Sequence, residues 1–432
     1  MKDEEKSFSP RVILEVELAD RSVTWKGDES ARLRHRAHVL VRLHSTPLGV
    51  FEMELPEHGD AVESIFAEAS MQFAADIAEH LDDDKTAALN EVARSEGEPV
   101  PNRESVAPCL KGREGLLVNA PSVSVAVATR NRPDLLNRCL TSIYQLDYPD
   151  FEVIVVDSSS GDESKILIEE NFGNVRYVRN LTGGICTARN RCLTAAGRRY
   201  LAFTDDDAVV DKHWLSEIVL ALESNPNVAC VTGFVMPMEL ETPAQVLFEE
   251  SGAFAEGIRR RHLDMKHQEP GSLLPFATGR IGAGVNMAWR RDVFEKIGYF
   301  DVALDRCGAD DLAVFFDALC AGYEIVYEPN AVVWHQHRRT MEELRLQTLW
   351  HATGLGAYLT RCLVKQPGRI WDFVTRLPGG IRYGFAASSV RNKKKSKAFP
   401  REITRQEWIG VAKGPAAYVK GSLVARRSRA SS

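Results

Sequence analysis

Three consecutive carboxylates, Asp205-Asp206-Asp207, follow the apolar run Tyr200-Leu-Ala-Phe203. Carboxylates flanking one residue can hold a hard divalent cation, and that cation can hold phosphate oxygens. The run before them is aromatic and aliphatic enough for a strand buried on both faces. The carboxylates cannot follow it into the core, because burying an unpaired charge costs far too much. At the carboxyl end of a strand in an open α/β sheet they would face the ligand crevice. A polar turn is the other reading. A second triple aspartate, Asp82-Asp83-Asp84, offers a contrast: it follows a helix-like segment from Ala61 to His80 and precedes Lys85, as a solvated helix end would.

Other reactive residue types stand at similar junctions. Thr129-Arg130-Asn131-Arg132 lies between the strand pattern Val123 to Val127 and a helix opened by Pro133-Asp134. Helix N-termini favour anions, while a surface pair is the plainer reading of Arg130 and Arg132. Asp157 ends the apolar stretch Phe151 to Val156, where it could also cap the Ser-Ser-Ser-Gly turn after it. Arg189 and Asn190 open a helix, for phosphate or nucleoside contact or simply as a surface turn. Asp310 and Asp311 start another helix, as a general base or as a doubled cap. Gly282 and Gly284, with Asn286 beside them, let backbone approach a ligand or only make a turn. His335 and His337 follow a strand and could add a cation ligand, although a lone histidine often has a structural role.

The elements that must position these residues fall into four segments. Residues 1–90 show alternating apolar strands (Arg11 to Leu18, His38 to Leu43, Val50 to Leu55), a turn at Ser45 to Gly49, and the helix from Ala61 to His80. They form a small α+β domain. Residues 91–121 are polar with Pro, Gly and Ser and read as a linker. From 122 to 340 strands alternate with helices, which implies parallel pairing. Residues 341–432 form a helical extension ending in a basic tail.

A chain of 432 residues implies two or three domains. With 44% hydrophobic and 26% charged residues it has the composition of a globular protein. The net charge of −6 hides an asymmetry, because 12 Lys and Arg against 2 Glu from Arg391 onward make that end +10 and the rest −16. Such a tail can meet anionic lipid, nucleic acid or an acidic partner, or stay solvated. The eight cysteines are scattered without a C-x-x-C pair, so buried free thiols in a reducing compartment are expected, not a zinc site or a disulfide framework. The N-terminus has no apolar signal region and no run of about 18 apolar residues occurs, so a cytoplasmic location is expected.

Five elements in order carry a family resemblance: Thr129-Arg-Asn-Arg-Pro133, Val155-Val-Asp157, Ala188-Arg-Asn190, Thr204-Asp-Asp-Asp207 and Gly308-Ala-Asp-Asp-Leu312. Over about residues 123–339 the chain resembles the inverting family-2 glycosyltransferases. The resemblance implies a GT-A fold, a Rossmann-like mixed sheet flanked by helices. It implies a nucleotide-diphospho-sugar donor contacted by Thr129, Arg130, Asn131, Arg132, Asp157, Arg189, Asn190, Asp205 and Asp206. It further implies Mn2+ or Mg2+ at Asp205 and Asp207, with His335 as a third ligand, and an acceptor side at Gly282, Gly284 and Asn286. Asp311 becomes the base, beside Asp310 where the family usually has Glu. Ser158 follows Asp157 where the family often has Asn or Gly. The acceptor would be a hydroxyl of a cell-surface glycan or lipid-linked sugar, with peripheral contact at the inner face of the cell membrane through the basic tail and no nucleic acid partner. A nucleotide-sugar-binding or nucleotidyltransferase-type protein is the alternative, but Thr129 to Arg132 is not the Gly-rich phosphate loop a nucleotidyltransferase would carry.

Overall fold

The computed structural model describes residues 8–27, 35–94, 107–252, 254, 257–386, 389, 392, 395 and 399–430. The chain forms two compact units, one of residues 1–120 with 237–243 and one of residues 121–236 with 244–432.

In the first unit, strands β1 (Arg11–Glu17), β2 (Ser22–Lys26), β3 (Arg36–Leu43) and β4 (Thr46–Glu54) form a sheet in the order β2-β1-β3-β4. β1 and β3 are parallel and the other pairs antiparallel. The β3–β4 turn is tighter than the sequence suggests. His44 and Ser45 alone make it, both with positive φ (52° and 66°), and Thr46 already pairs with Leu43. Alternate residues Val12, Leu14, Val16, Val39 and Val41 pack with Ile65, Phe66 and Ala69 of helix α1 (Ala61–Gln72). Asp60 caps that helix by accepting from the backbone N–H groups of Val62 and Glu63. The expected single helix breaks at Phe73, and α2 (Ala74–Arg94) continues beyond it. The second triple aspartate therefore lies inside a helix and not at its end. Pro108–Val118, within the segment read as a linker, is helix α3, with Pro108 at the first helical position where its missing N–H costs nothing.

In the second unit, β5 (Val123–Thr129), α4 (Pro133–Ile143), β6 (Phe151–Asp157), α5 (Glu163–Asn171), β7 (Val175–Arg179), α6 (Ile185–Ala195) and β8 (Tyr200–Asp205) alternate. There follow β9 (Ala208–Val210), α7 (Trp214–Glu223), β10 (Val228–Pro237), α8 (Pro243–Glu250), β11 (Arg261–Leu263), β12 (Met287–Arg290), α9 (Val293–Ile297), α10 (Asp310–Cys320) and β13 (Glu324–His335). The sheet order is β11-β13-β10-β12-β8-β5-β6-β7, with β9 paired to β13. β7, β6, β5 and β8 run parallel, while β12 lies antiparallel between β8 and β10. This is the mixed α/β sheet expected from the sequence. Of its parallel strands β5, β6 and β8 are buried on both faces over most of their length, as their continuous apolar runs require, while β7 at the edge is partly exposed.

The C-terminal helices belong to the same unit: α11 (Met341–Lys365), α12 (Ile370–Phe385) and α13 (Arg401–Ala430). A capping box of Thr340 and Glu343 starts α11. The basic end is thus largely a packed helix, in which Ile403 and Tyr418 are buried. Glycines allow the close approach. A Cβ on Gly414 would lie 2.3 Å from the carbonyl carbon of Gly356 on α11, and one on Gly421 would lie 2.0 Å from the carbonyl oxygen of Ala303. Part of the basic run, at 393, 394, 396 and 397, lies outside the described residues. Among the described residues no helix is long and apolar enough to cross a membrane, and all eight cysteines are free.

Candidate active site

Strand register gathers the site. β8 pairs with β5 from Tyr200 opposite Val123 to Asp205 opposite Ala128, so both strands end at one edge. Thr129 sits opposite Asp157 on β6. On the other side β9 pairs with β13, setting Ala208 opposite His335. The three aspartates between β8 and β9 therefore lie against the β5–α4 loop on one side and the end of β13 on the other.

The three aspartates have different partner sets, with Arg132 shared by the last two. The Asp205 side chain is 33% exposed and its Oδ1 lies 3.4 Å from Arg189 Nη2. Asp206 is buried, accepts from Thr129 Oγ1 at 2.8 Å and meets Arg132 Nη1 at 3.2 Å. Burial and the neighbouring Asp207 charge push its pKa up to about 6. Asp206 thus fastens the β5–α4 loop. Asp207 is also buried, with Arg132 Nη1 at 3.0 Å, His335 Nε2 at 3.3 Å and Arg338 Nη2 at 3.6 Å. Burial opposes its charge, but His335, Arg132 and Arg338 outweigh that and hold it well below the usual carboxylate range.

His335 does not act alone. Its Nδ1 lies 3.1 Å from His337 Nδ1, and His337 Nε2 lies 2.5 Å from Glu249 Oε1 on α8. The chain Glu249–His337–His335–Asp207, buried except at Glu249, orients the imidazole that faces the aspartate. Burial and His335 drive His337 down against the pull of Glu249, whereas Asp207 raises His335 despite its burial. Glu249 and Arg338 carry no sequence signal beyond the charge runs around them.

The helix α10 entry supplies the other carboxylates. Gly308 and Ala309 both take left-handed backbone (φ 71° and 61°), and for Ala309 that costs about 1–2 kcal/mol. The turn aims Asp310 at the guanidinium of Arg189, which it ion-pairs through Nη1. Asp311 Oδ2 accepts the Gly284 N–H at 2.8 Å, and its Oδ1 accepts the Leu312 N–H at 2.8 Å. Burial and the Asp310 charge raise Asp311 to about 6, although Arg189 and the two N–H groups pull the other way. A cation also sits close to Gly284, where a Cβ would be 2.6 Å from Arg189 Nη2.

Other predicted residues are differently employed. Asp157 is fully buried, with Ser159 N–H on Oδ1 at 2.7 Å and Tyr177 Oη (2.8 Å) and Arg179 Nη1 (3.3 Å) on Oδ2. Its Oδ1 anchors the β6–α5 turn and its Oδ2 is held from β7. Asn190 binds the backbone of Phe300 at both its amide atoms, 2.9 Å each, and so ties α6 to a loop. Asn286 is fully buried, donating to the carbonyls of Phe234 and Ala331 and accepting from Trp214 Nε1. Asn286, with both amide N–H groups engaged and no exposure, is a structural tie; half-buried Asn190 keeps one N–H and one lone pair beyond these bonds. Gly282 (φ 148°) makes a turn against Thr232. Asn131 takes left-handed backbone (φ 54°), which asparagine tolerates, and binds Ser159 and Ser160, while Arg130 is exposed at the rim.

Residues 124–298 match the family described as Glycosyl transferase family 2. The succinoglycan biosynthesis protein ExoM of Rhizobium meliloti is 29% identical over 223 residues, which are 49% of this chain and 65% of that protein. The glucosyl-dolichyl phosphate glucuronosyltransferase of Haloferax volcanii is 24% identical over 243 residues, 53% of this chain and 74% of that protein. Against the poly-beta-1,6-N-acetyl-D-glucosamine synthase of Staphylococcus epidermidis the match spans only 54% of the relative's length. The chain thus spans about half to three quarters of the length of these three relatives. A solved mannosyltransferase from Pyrobaculum calidifontis, in complex with GDP-Man and Mn2+, is 20% identical with a TM-score of 0.46, covering 81% of this chain and 90% of that one.

Proposed function

From a chain that belongs to glycosyl transferase family 2 through its residues 124–298, we propose a metal-dependent, inverting hexosyltransferase acting on a nucleotide-diphospho-sugar. The observation that carries the reading is Arg189. Its single buried guanidinium meets Asp205 on the donor side and Asp310 on the acceptor side, so both carboxylate stations serve one site. The acceptor is a hydroxyl of a glycan or lipid-linked sugar.

Asp205, Asp207 and His335 would hold the divalent cation, Mn2+ or Mg2+. The fit rests on Asp207 Oδ1 and His335 Nε2, which lie 3.3 Å apart, a spacing two ligands of one ion can take; Asp205, paired with Arg189, stands outside that close pair. When bound, the cation offsets charge on the departing nucleoside diphosphate. Arg132 and Arg338, already beside Asp207, add positive charge for the phosphates. Thr129 and Asp206 keep the β5–α4 loop in place under the nucleotide.

Asp311 takes the proton of the acceptor hydroxyl. The new bond joins that oxygen to the anomeric carbon as the carbon–phosphate oxygen bond breaks, which inverts the centre. The Gly284 N–H orients the carboxylate, and a pKa of about 6 makes it a better base than an ordinary aspartate while keeping it ionised at neutral pH. Asp310 keeps Arg189 in position and leaves the base role to its neighbour. The test is a panel of UDP-, GDP- and dTDP-sugars with Mn2+, run on the full chain and on Asp311→Asn. Turnover should vanish in the variant while donor binding, read by calorimetry, persists. Turnover that survives would sink the base assignment, and binding without transfer in the wild type would favour a nucleotide-sugar-binding protein.

A peripheral membrane contact is supported by α12 more than by the basic tail. Ile370, Trp371, Val374, Leu377 and Ile381 are exposed on it, Trp371 at 75%. Sedimentation with anionic liposomes should be lost in Trp371→Ser/Val374→Ser, and equal sedimentation of both proteins would exclude the helix.

A further inference from the structure

In the first unit four side chains of metal-ligating type converge from three elements. His44 projects from the two-residue β3–β4 turn, His80 and Asp84 lie one turn apart on α2, and Cys109 is the second residue of α3. Their ligand atoms lie within 4.8 Å of one another. Among the described residues this is the one such group of three or more; Asp205, Asp207 and His335 are not gathered so closely.

The individual separations are informative. His44 Nδ1 is 3.2 Å from His80 Nε2 and 3.2 Å from Asp84 Oδ2. His80 Nε2 is 3.6 Å from Asp84 Oδ2 and 3.7 Å from Cys109 Sγ, and Sγ is 3.5 Å from Asp84 Oδ2. A tetrahedral ion with bonds of about 2.0–2.1 Å to N or O and about 2.3 Å to S puts its ligands about 3.3–3.6 Å apart. Hydrogen bonding explains the cluster less well. The two imidazole nitrogens and the thiol can direct at most one proton each into it, too few for five close contacts, while one central cation satisfies all of them.

The surroundings hold the ligands in place. Asp84 Oδ1 accepts the Cys109 backbone N–H at 2.8 Å, which turns Oδ2 to the cluster. Glu17 accepts the backbone N–H groups of His44 (2.9 Å) and Ser45 (2.8 Å), fixing a turn whose positive φ values are costly for both residues.

We propose that His44, His80, Asp84 and Cys109 form a structural site for one zinc-type divalent ion. A thiolate, a carboxylate and two neutral imidazoles balance the charge of a dication, and they suit zinc where the oxygen-rich crevice suits Mn2+ or Mg2+. Four protein ligands leave no open position, so the ion is a clamp on the β3–β4 turn, α2 and α3 and takes no part in chemistry.

The full chain, purified without chelators and reconstituted with Zn2+, should carry about one equivalent of zinc by mass spectrometry. Replacing zinc by Co2+ should give visible bands of a tetrahedral ion and a thiolate-to-cobalt charge-transfer band, which no ligand in the crevice can produce. Cys109→Ser should abolish the charge-transfer band and His80→Ala the stoichiometric binding, whereas Asp205→Asn/Asp207→Asn should keep both. Where a variant does not fold, the wild type decides alone. Cys109 is the exposed one of the eight cysteines, so zinc should slow its alkylation at least tenfold. Substoichiometric zinc with no charge-transfer band, or Cys109 alkylation indifferent to zinc, would overturn the site.

Discussion

Asp82-Asp83-Asp84 and Asp205-Asp206-Asp207 are the same tripeptide on two backbones. On α2 successive residues turn about 100° apart, so Asp82 and Asp83 face water and Asp84 alone turns inward to the histidines and Cys109. After β8 the chain leaves the sheet, and the side chains spread over different neighbours: Asp205 reaches Arg189, Asp206 reaches Thr129 and Arg132, and Asp207 shares Arg132 and adds His335 and Arg338. The lesson is that a run of like residues has no chemistry of its own. The backbone deals them out to neighbours, and the neighbours decide whether a carboxylate becomes a ligand, a fastener or a solvated charge.

That contrast breaks most visibly at Asp207. Asp207→Asn should lower turnover about 10²–10³-fold, since it removes a cation ligand and the partner of His335. Asp84→Asn in the same steady-state assay should stay within about twofold; equal losses in the two variants would erase the distinction. Next in size is the pH response. With Asp311 raised to about 6, the base is protonated below that value, so kcat should fall about tenfold per pH unit under 6 and level off above it. A limb near 4 instead would mean an unperturbed carboxylate. Asp84→Asn should act on stability, dropping the calorimetric transition of the zinc-loaded protein by on the order of 5 °C and abolishing its response to chelator. Asp83→Asn, one residue away on the exposed face, should change stability by no more than about 0.5 kcal/mol. A large effect there would show that the helix, and not the ligand, is what the Asp84 variant disturbs.

Much of the second unit was legible because its signals are local. Apolar runs of strand length, Pro133 at a helix start and paired aspartates at element ends can each be read within a few residues, and β5, β6, β8 and α10 stand where they point. What escaped depends on long-range partners. Asn190 and Asn286 have the residue type of ligand contacts, yet their amides are held by the backbone of Phe300, Phe234 and Ala331, 45 to 110 residues away. The Glu249–His337 contact joins residues 88 apart, and the cluster around Asp84 collects ligands from three segments separated by 36 and 25 residues without a C-x-x-C pair to announce it. The helix break at Phe73 was hidden for a different reason. Its apolar ring packs against Phe51 and continues the helical pattern even though its backbone (φ −106°, ψ 19°) does not.

The contact of Gly421 with Ala303 reaches farther than its size suggests. Ala303 lies in a short 3₁₀ turn, and Asp305 just beyond it takes the backbone N–H and hydroxyl of Thr187 at the start of α6. Two residues later α6 presents Arg189. The C-terminal helix is therefore the foundation under the guanidinium that joins the two halves of the reaction centre. A single methyl group placed there, some twenty residues along the helix, would be transmitted as tilt to the start of α6.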